Sequence, residues 1–316
     1  MSSVPFELLQ LILVVVLAPL LTGIVRKVKA RLLGRRGPAL VQPYRDLLRL
    51  LRKEAVLAPS ASWLFRAIPY MMFTAIWLAA AIVPTYTTGL MTSRIADLIA
   101  LVALLGSARF ALALAGMDVG TSFGGIGSSR EMMIASLAEP AMLTVTFTVA
   151  LLVHSTSLPQ ISEFMLTQAV GIRVSLLLGL ISLTMVALAE NARIPIDNPA
   201  THLELTMVHE AMVLEYSGRH LALIEAASMV KLLLYLSLIA AIFLPWGMGT
   251  EQTLGWAALG LGLGSYAVKL GTGAVLLGVF ETSIAKMRVF RVAEFLGGAF
   301  LLGILAAIFL YVSQGL

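Results

Sequence analysis

The stretch Arg26–Arg66, RKVKARLLGRRGPALVQPYRDLLRLLRKEAVLAPSASWLFR, holds eleven of the chain's 22 Lys and Arg residues and is wedged between two long apolar runs. A dense basic loop between such runs marks a polytopic membrane protein with that loop on the cytoplasmic side. Outward from it the chain is a string of further apolar runs. Of its 316 residues 59% are hydrophobic and 12% charged, where a soluble domain carries about 25% charged. A soluble fold of this length could not hide that much apolar surface. The net charge of +5 does not point to nucleic acid, because half of the basic residues lie in one juxtamembrane loop facing lipid. Cys is absent, so this chain offers no disulfide, thiolate metal site or iron–sulfur ligation, and redox chemistry falls to partners. The first 25 residues lack a basic n-region and a small-residue cleavage pattern, so they read as a retained first span.

A spanning helix takes about 20 predominantly apolar residues. Eight runs qualify: 5–25, 69–88, 94–116, 131–153, 173–190, 221–245, 254–281 and 293–313. The expected fold is all-α, a single transmembrane domain over 1–316 with eight spanning helices plus amphipathic interfacial helices. Pro69 and Pro84 bracket the second run, Pro245 ends the sixth, and Gly116 to Ser129 separate the third from the fourth. The 282–292 loop carries Lys286, Arg288 and Arg291, whereas 85–93, 154–172 and 246–253 carry no Lys or Arg. Both termini are therefore expected on the periplasmic side. Loops 26–68, 117–130, 191–220 and 282–292 are expected to form a cytoplasmic docking face.

Two segments read as interfacial. Between Tyr44 and Leu57, Leu47, Leu48, Leu50, Leu51 and Ala55 recur at helical spacing, with Arg45, Asp46, Arg49, Arg52 and Lys53 on the other face. Such a helix lies in the headgroup plane, as a lipid anchor or as a docking element. The second opens at Asn198-Pro199, an N-cap with Pro at the first helical position, and closes at a C-cap Gly218. Along it Glu204 and Glu215 share one face, and His202 and His209 another.

Charges inside the apolar runs demand an account. Arg109, Glu139, Glu225, Lys231 and Lys269 each cost at least about 2.5–3.5 kcal/mol within the bilayer unless paired, hydrated or employed. Arg109 and Glu139, counted from their cytoplasmic ends, match in depth and oppose in sign. One reading is a structural ion pair. The other is a hydrated track whose carboxylates and lysines change protonation in turn, burial shifting both types toward working pH. The number of such residues favours the track. The 190–219 loop adds Glu190, Arg193, Asp197, His202, Glu204, His209, Glu210, Glu215 and Arg219.

Other motifs are weaker. No second His follows His209-Glu210 at zinc spacing, and the two histidines read as hydrogen-bonded structural residues, so no metal site is expected. Gly120–Gly127 follows no strand and lacks a Lys, so it is not a phosphate loop. Ser128-Ser129-Arg130-Glu131 reads as a capping box opening the fourth span. No nucleophile with a neighbouring base is present, so no catalytic residue is assigned. Gly260 and Gly264 are a faint helix-packing signal. A self-sufficient transporter would show an internal repeat, and none is visible.

Three clusters carry a family likeness. Gly34-Arg35-Arg36-Gly37-Pro38, Gln42-Pro43-Tyr44-Arg45-Asp46 and Lys53-Glu54 resemble the loop after the first helix in the complex I membrane subunit 1 (NuoH-like) family. Ala189-Glu190-Asn191-Ala192-Arg193-Ile194-Pro195-Ile196-Asp197 resembles that family's Ala-Glu-x-x-Arg-x-Pro-Phe-Asp motif, with Ile196 for Phe, and Glu204-Leu205 and Glu215-Tyr216-Ser217-Gly218 continue it. Gly106–Phe110, Gly127–Glu131 and Pro199–Met212 are similar to the membrane subunits of energy-converting nickel–iron hydrogenases of the formate hydrogenlyase and hydrogenase-4 type.

The resemblance implies a non-catalytic membrane anchor in the inner membrane of a prokaryote, docking a redox arm and coupling electron transfer to proton or Na⁺ movement. Hydrogenase large and small subunits, iron–sulfur subunits and antiporter-like membrane subunits are the implied partners, besides lipid. The nickel–iron centre and iron–sulfur clusters belong to those partners, with no cofactor bound by this chain. Arg35, Arg36, Gln42, Arg45 and Asp46 are the implied docking or quinone-like residues. Glu190, Asp197, Glu204, Glu210 and Glu215 would form the proton entrance. Glu139, Glu225, Lys231 and Lys269 would continue it, with Arg109 and Arg193 tuning the carboxylates. The alternative is the quinone-site subunit of a complex I-type oxidoreductase.

Overall fold

The computed structural model describes residues 4–167, 173–197, 208–250, 256–288 and 291–314. His202, Glu204 and the start of the expected 198–218 helix lie outside the described residues. The elements are α1 (Val4–Leu32), α2 (Gln42–Leu51), α3 (Trp63–Ile82), α4 (Leu98–Asp118), α5 (Ser122–Val153), α6 (Leu158–Thr167), α7 (Val174–Glu190), α8 (His209–Val213), α9 (Gly218–Phe243), α10 (Trp256–Ser283) and α11 (Val292–Gln314). The protein is an all-α polytopic membrane protein.

Among the described residues, seven helices (α1, α3, α4, α5, α9, α10 and α11) are long and apolar enough to cross a membrane. The fifth run forms α7, which has 17 residues. At about 1.5 Å per residue it reaches about 26 Å, short of the roughly 30 Å hydrocarbon core.

Helix α9 is the hub. It packs on α1, α2, α3, α6, α7 and α10, while α4 bridges α3 and α5, and α5 and α7 share α11. Lining up α4, α5, α7 and α9 around one interior is what brings distant charges together. Polar side chains punctuate the chain where the helices start. Ser62 caps α3, accepting from Leu64 N at 3.1 Å. Asp97 caps α4, accepting from Ile99 N at 2.7 Å, and Thr121 caps α5, accepting from Gly124 N at 3.3 Å. Each satisfies one of the donors that a helix start leaves open.

Several boundaries differ from expectation. Helix α5 begins at Ser122, so Ser128–Glu131 are interior residues and not a capping box. Hydropathy placed the start later because Gly120–Gly127 dilutes the apolar signal. Those glycines permit contact instead: a Cβ on Gly124 would lie 2.0 Å from the Gly116 carbonyl oxygen, and one on Gly127 would press on Met212 and Ala211 of α8. Pro69 lies inside α3 and does not bracket it, since membrane helices tolerate Pro where neighbours re-satisfy the backbone. Gly218 is not a C-cap. It opens α9 with φ of 54°, and a Cβ there would sit 2.4 Å from the Glu54 carbonyl oxygen. Beside it Ser217 Oγ accepts from Val56 N and donates to Val56 O, both at 2.8 Å, so the loop after α2 is tied to the head of α9.

Candidate functional site

Helices α4 and α5 form an antiparallel hairpin closed by residues 119–121. Arg109 lies nine residues before the end of α4 and Glu131 nine residues after the start of α5, each about 14 Å along its axis. They therefore meet: Arg109 Nε stands 3.4 Å from Glu131 Oε1. On its other side Arg109 Nη2 contacts Glu190 Oε1 directly, and Glu190 Oε2 lies 3.9 Å from Lys231 Nζ on α9. Four helices thus contribute two cations and two carboxylates to one buried cluster of zero net charge. Arg109 Nε and Nη1 have no hydrogen-bond partner among the described residues, so the cluster keeps donors that water can meet.

Glu190 ends α7, and the turn after it shapes the next layer. Ala192 has φ of 48°, Arg193 N donates to Leu188 O at 3.0 Å and Ala192 N to Ala189 O at 3.1 Å. This is a Schellman closure with Ala where Gly is usual. It turns Arg193 toward α10, where Arg193 Nη1 pairs with Glu281 Oε1 at 3.2 Å. Lys29 Nζ of α1 pairs with the other oxygen of Glu281 at 3.1 Å. Lys286 Nζ donates to Asp197 Oδ1 at 2.8 Å, and Met287 N to the Pro195 carbonyl at 2.8 Å. The segment 281–287 therefore clasps the 193–197 turn at three points.

Cluster and clasp border one cavity of about 490 Å³. Its wall takes Arg26 and Lys29 from α1, Arg35 from the following loop, Glu190, Arg193 and Asp197 from α7 and its turn, His209 and Glu210 from α8, Glu225 and Lys231 from α9, and Glu281 from α10. Five basic side chains face five carboxylates. His209 lies among them; burial pushes its imidazole below the ordinary value, Lys231 adds to this, and Glu131 and Asp197 oppose it. Charged groups ring the cavity and leave room for water, through which titratable side chains can pass protons. Among the described residues no group of three or more His, Asp and Glu is arranged to hold a metal ion.

Of the residues singled out from sequence, the cavity brings together Arg35, Glu190, Arg193, Asp197, His209, Glu210, Glu225 and Lys231, with Arg109 directly behind Glu190. Glu215 and Arg36 are exposed and stand apart from the lining, as do Arg45 and Asp46 on α2. There Gln42 Nε2 donates to Asp46 Oδ1 at 3.0 Å, and Asp46 Oδ1 also accepts from Arg49 Nη2 at 3.3 Å. Lys269 is near the middle of α10 with its Nζ enclosed and without a hydrogen-bond partner among the described residues. The depth-matched pair of Arg109 with Glu139 does not form. Glu139 lies 17 residues into α5, about 26 Å, whereas Arg109 lies about 14 Å from the hairpin. Counting from residue 131 had set the two level.

Sequence reasoning missed Glu131, Glu281, Lys29 and Arg26. Glu131 looked like a cap residue, and Glu281 is the last residue of the 254–281 run, where no partner for it is visible from spacing. The legible signal for Glu131 was its spacing from the 119–121 turn, which mirrors that of Arg109.

The sequence matches the NADH dehydrogenase family over residues 6–312. It is 33% identical over 286 residues to formate hydrogenlyase subunit 4 of Escherichia coli (strain K12), covering 90% of this chain and 92% of that protein. It is 33% identical over 306 residues to hydrogenase-4 component C of the same organism, covering 96% and 95%. A solved chain of the membrane-bound sulfane sulfur reductase, an archaeal respiratory membrane complex, shares the fold with TM-score 0.79 and 21% identity, covering 98% of this chain and 100% of that one.

Proposed function

The chain belongs to the NADH dehydrogenase family, and from that premise we propose that it is the membrane-anchor subunit of a complex I-like energy-converting hydrogenase. Its basic loop, α2 and the 190–219 segment dock a cytoplasmic redox arm. Electron transfer in that arm is coupled to proton or Na⁺ movement through this chain, in the inner membrane of a prokaryote with both termini on the periplasmic side. The nickel–iron centre and iron–sulfur clusters belong to partner subunits, and further membrane subunits receive the translocated ion.

One observation carries the reading. The 490 Å³ cavity is lined by residues of the loop after α1 and of the 190–210 region, and it ends on the buried cluster of Arg109, Glu190 and Lys231. A purely structural anchor has no need of opposed charges at that depth, each of which must offset its own desolvation. A change of charge at the docking face shifts the electrostatic balance of five cations and five carboxylates, and Glu190, touching both Arg109 and Lys231, transmits that shift inward. Arg193 and Lys29, held by Glu281, fix the cavity wall while this happens.

The test is affinity purification in mild detergent, followed by mass spectrometry and metal analysis of what co-purifies, then proton-pumping assays on Glu190→Gln in the assembled complex. Nickel and a hydrogenase large subunit with pumping lost support the proposal. Pumping at the unaltered rate in Glu190→Gln would sink the proton route. Recovery of a quinone-reducing arm without nickel would move the function to the quinone-site alternative.

A further inference from the structure

Glu139 is an acidic residue of α5 that stands outside the cavity. Glu139 lies about 26 Å from the start of α5 and about 21 Å from its end, within the hydrocarbon depth of a bilayer. Its carboxylate passes over a notch in α4, since a Cβ on Gly106 would meet Glu139 Oε1 at 3.3 Å. Glu139 is half-buried, and Ser107 and Phe110 of α4 and Ser136 and Pro140 of α5 beside it are exposed. No hydrogen bond or ion pair reaches its carboxylate among the described residues.

The seam around it presents acceptors and spends its donors internally. Ser107 Oγ donates to Leu104 O at 2.9 Å, and Ser136 Oγ to Met133 O at 2.8 Å. The buried Tyr235 hydroxyl donates to Met142 Sδ at 3.6 Å. Pro140 has no N–H to offer the Ser136 carbonyl, the acceptor that a regular helix would pair with it. Lipid tails supply no donors, so a carboxylate left facing them is costly.

We propose that this α4–α5 seam is an intramembrane docking surface for a transmembrane helix of another subunit, one that places a Lys, Arg or His against Glu139 over the Gly106 notch. Charge complementarity selects that occupant: a donor-bearing cation both neutralises the carboxylate and hydrogen-bonds to it. The glycine lets the partner's backbone approach, as small residues do at membrane helix interfaces. The inference rests on the reading of the chain as a subunit of a larger membrane complex, and not on proton passage.

The test uses the intact complex in native membranes, with a photo-crosslinking phenylalanine analogue replacing Ser107 or Ser136 and sequencing of the crosslinked peptides. The expected result is one membrane subunit captured from both positions, through a transmembrane segment that contains Lys, Arg or His. In parallel, a hydrophobic carbodiimide should label Glu139 several-fold more after the complex is dissociated in harsh detergent than before, and Glu139→Gln should abolish the label. Adducts to lipid alone, a captured segment without a basic residue, or equal labelling before and after dissociation would each overturn it. Co-purification of partners, read separately, distinguishes failure of the seam from failure of the complex reading.

Discussion

Replacing Arg109 with Met preserves length and apolar packing while removing the cation between two buried carboxylates. At the 3.4 Å separation from Glu131, unit charges attract by about 5 kcal/mol at an effective dielectric near 20. Desolvation of the guanidinium offsets part of that, and breaking a buried pair by deleting one partner costs about 3–5 kcal/mol. At roughly 2 °C per kcal/mol for a chain of this size, Tm should fall by about 6–10 °C. The assay is thermal unfolding of the purified complex, followed by loss of its assembled peak in size-exclusion chromatography. The double variant Arg109→Met/Glu131→Gln leaves Lys231 to balance Glu190, and about half of the loss should return, as expected for coupled neighbours. Arg109→Met/Glu139→Gln should recover nothing. A Tm drop below about 2 °C, or rescue by the Glu139 change in place of the Glu131 change, would refute the cluster.

Three further outcomes are expected. Glu281→Ala frees Lys29 and Arg193 together, so hydrogen exchange of the 191–197 amides should speed up, and unchanged protection there would dismiss the clasp. Burial holds His209 below its ordinary value of 6.5, so the folded protein favours the neutral imidazole. Its contribution is complete above about pH 6.5 and declines as pH drops toward the lowered value. Protection of the 208–217 amides, taken relative to the slower intrinsic exchange in acid, should therefore be weaker at low pH than at neutral pH, with His209→Gln removing the difference; pH-independent protection in the unaltered protein would contradict this. Gly218→Ala combines a left-handed φ with a contact against Glu54 and should cost well over about 1 kcal/mol, whereas Gly34→Ala, with open space around it, should lower Tm less.

What was legible depended on how local its cause is. All eight apolar runs became helices, because each reports a composition that hydrocarbon requires over consecutive residues. The stripe of Leu47, Leu48, Leu50 and Leu51 likewise marked α2, although that helix stops at Leu51. The Gly-rich stretch was misread as a break. Its glycines serve close backbone contact between α4, α5 and α8, and contact between elements leaves no periodic trace in one segment. The error then propagated, since a helix start misplaced by nine residues moved Glu139 level with Arg109 and hid Glu131.

The amino-acid sequence alone determined that this chain crosses a membrane many times, that it is helical throughout its spans, and that charges lie within them at a cost demanding compensation. Those follow from the transfer of residues to hydrocarbon, which depends on what each residue is and on its near neighbours. Which charges compensate one another was decided only by tertiary structure. Arg109 meets Glu131 and Glu190, and Glu281 joins Lys29 to Arg193, because helix packing sets distances between residues up to 252 positions apart. Coulomb energy depends on those distances, and no spacing along the chain encodes them.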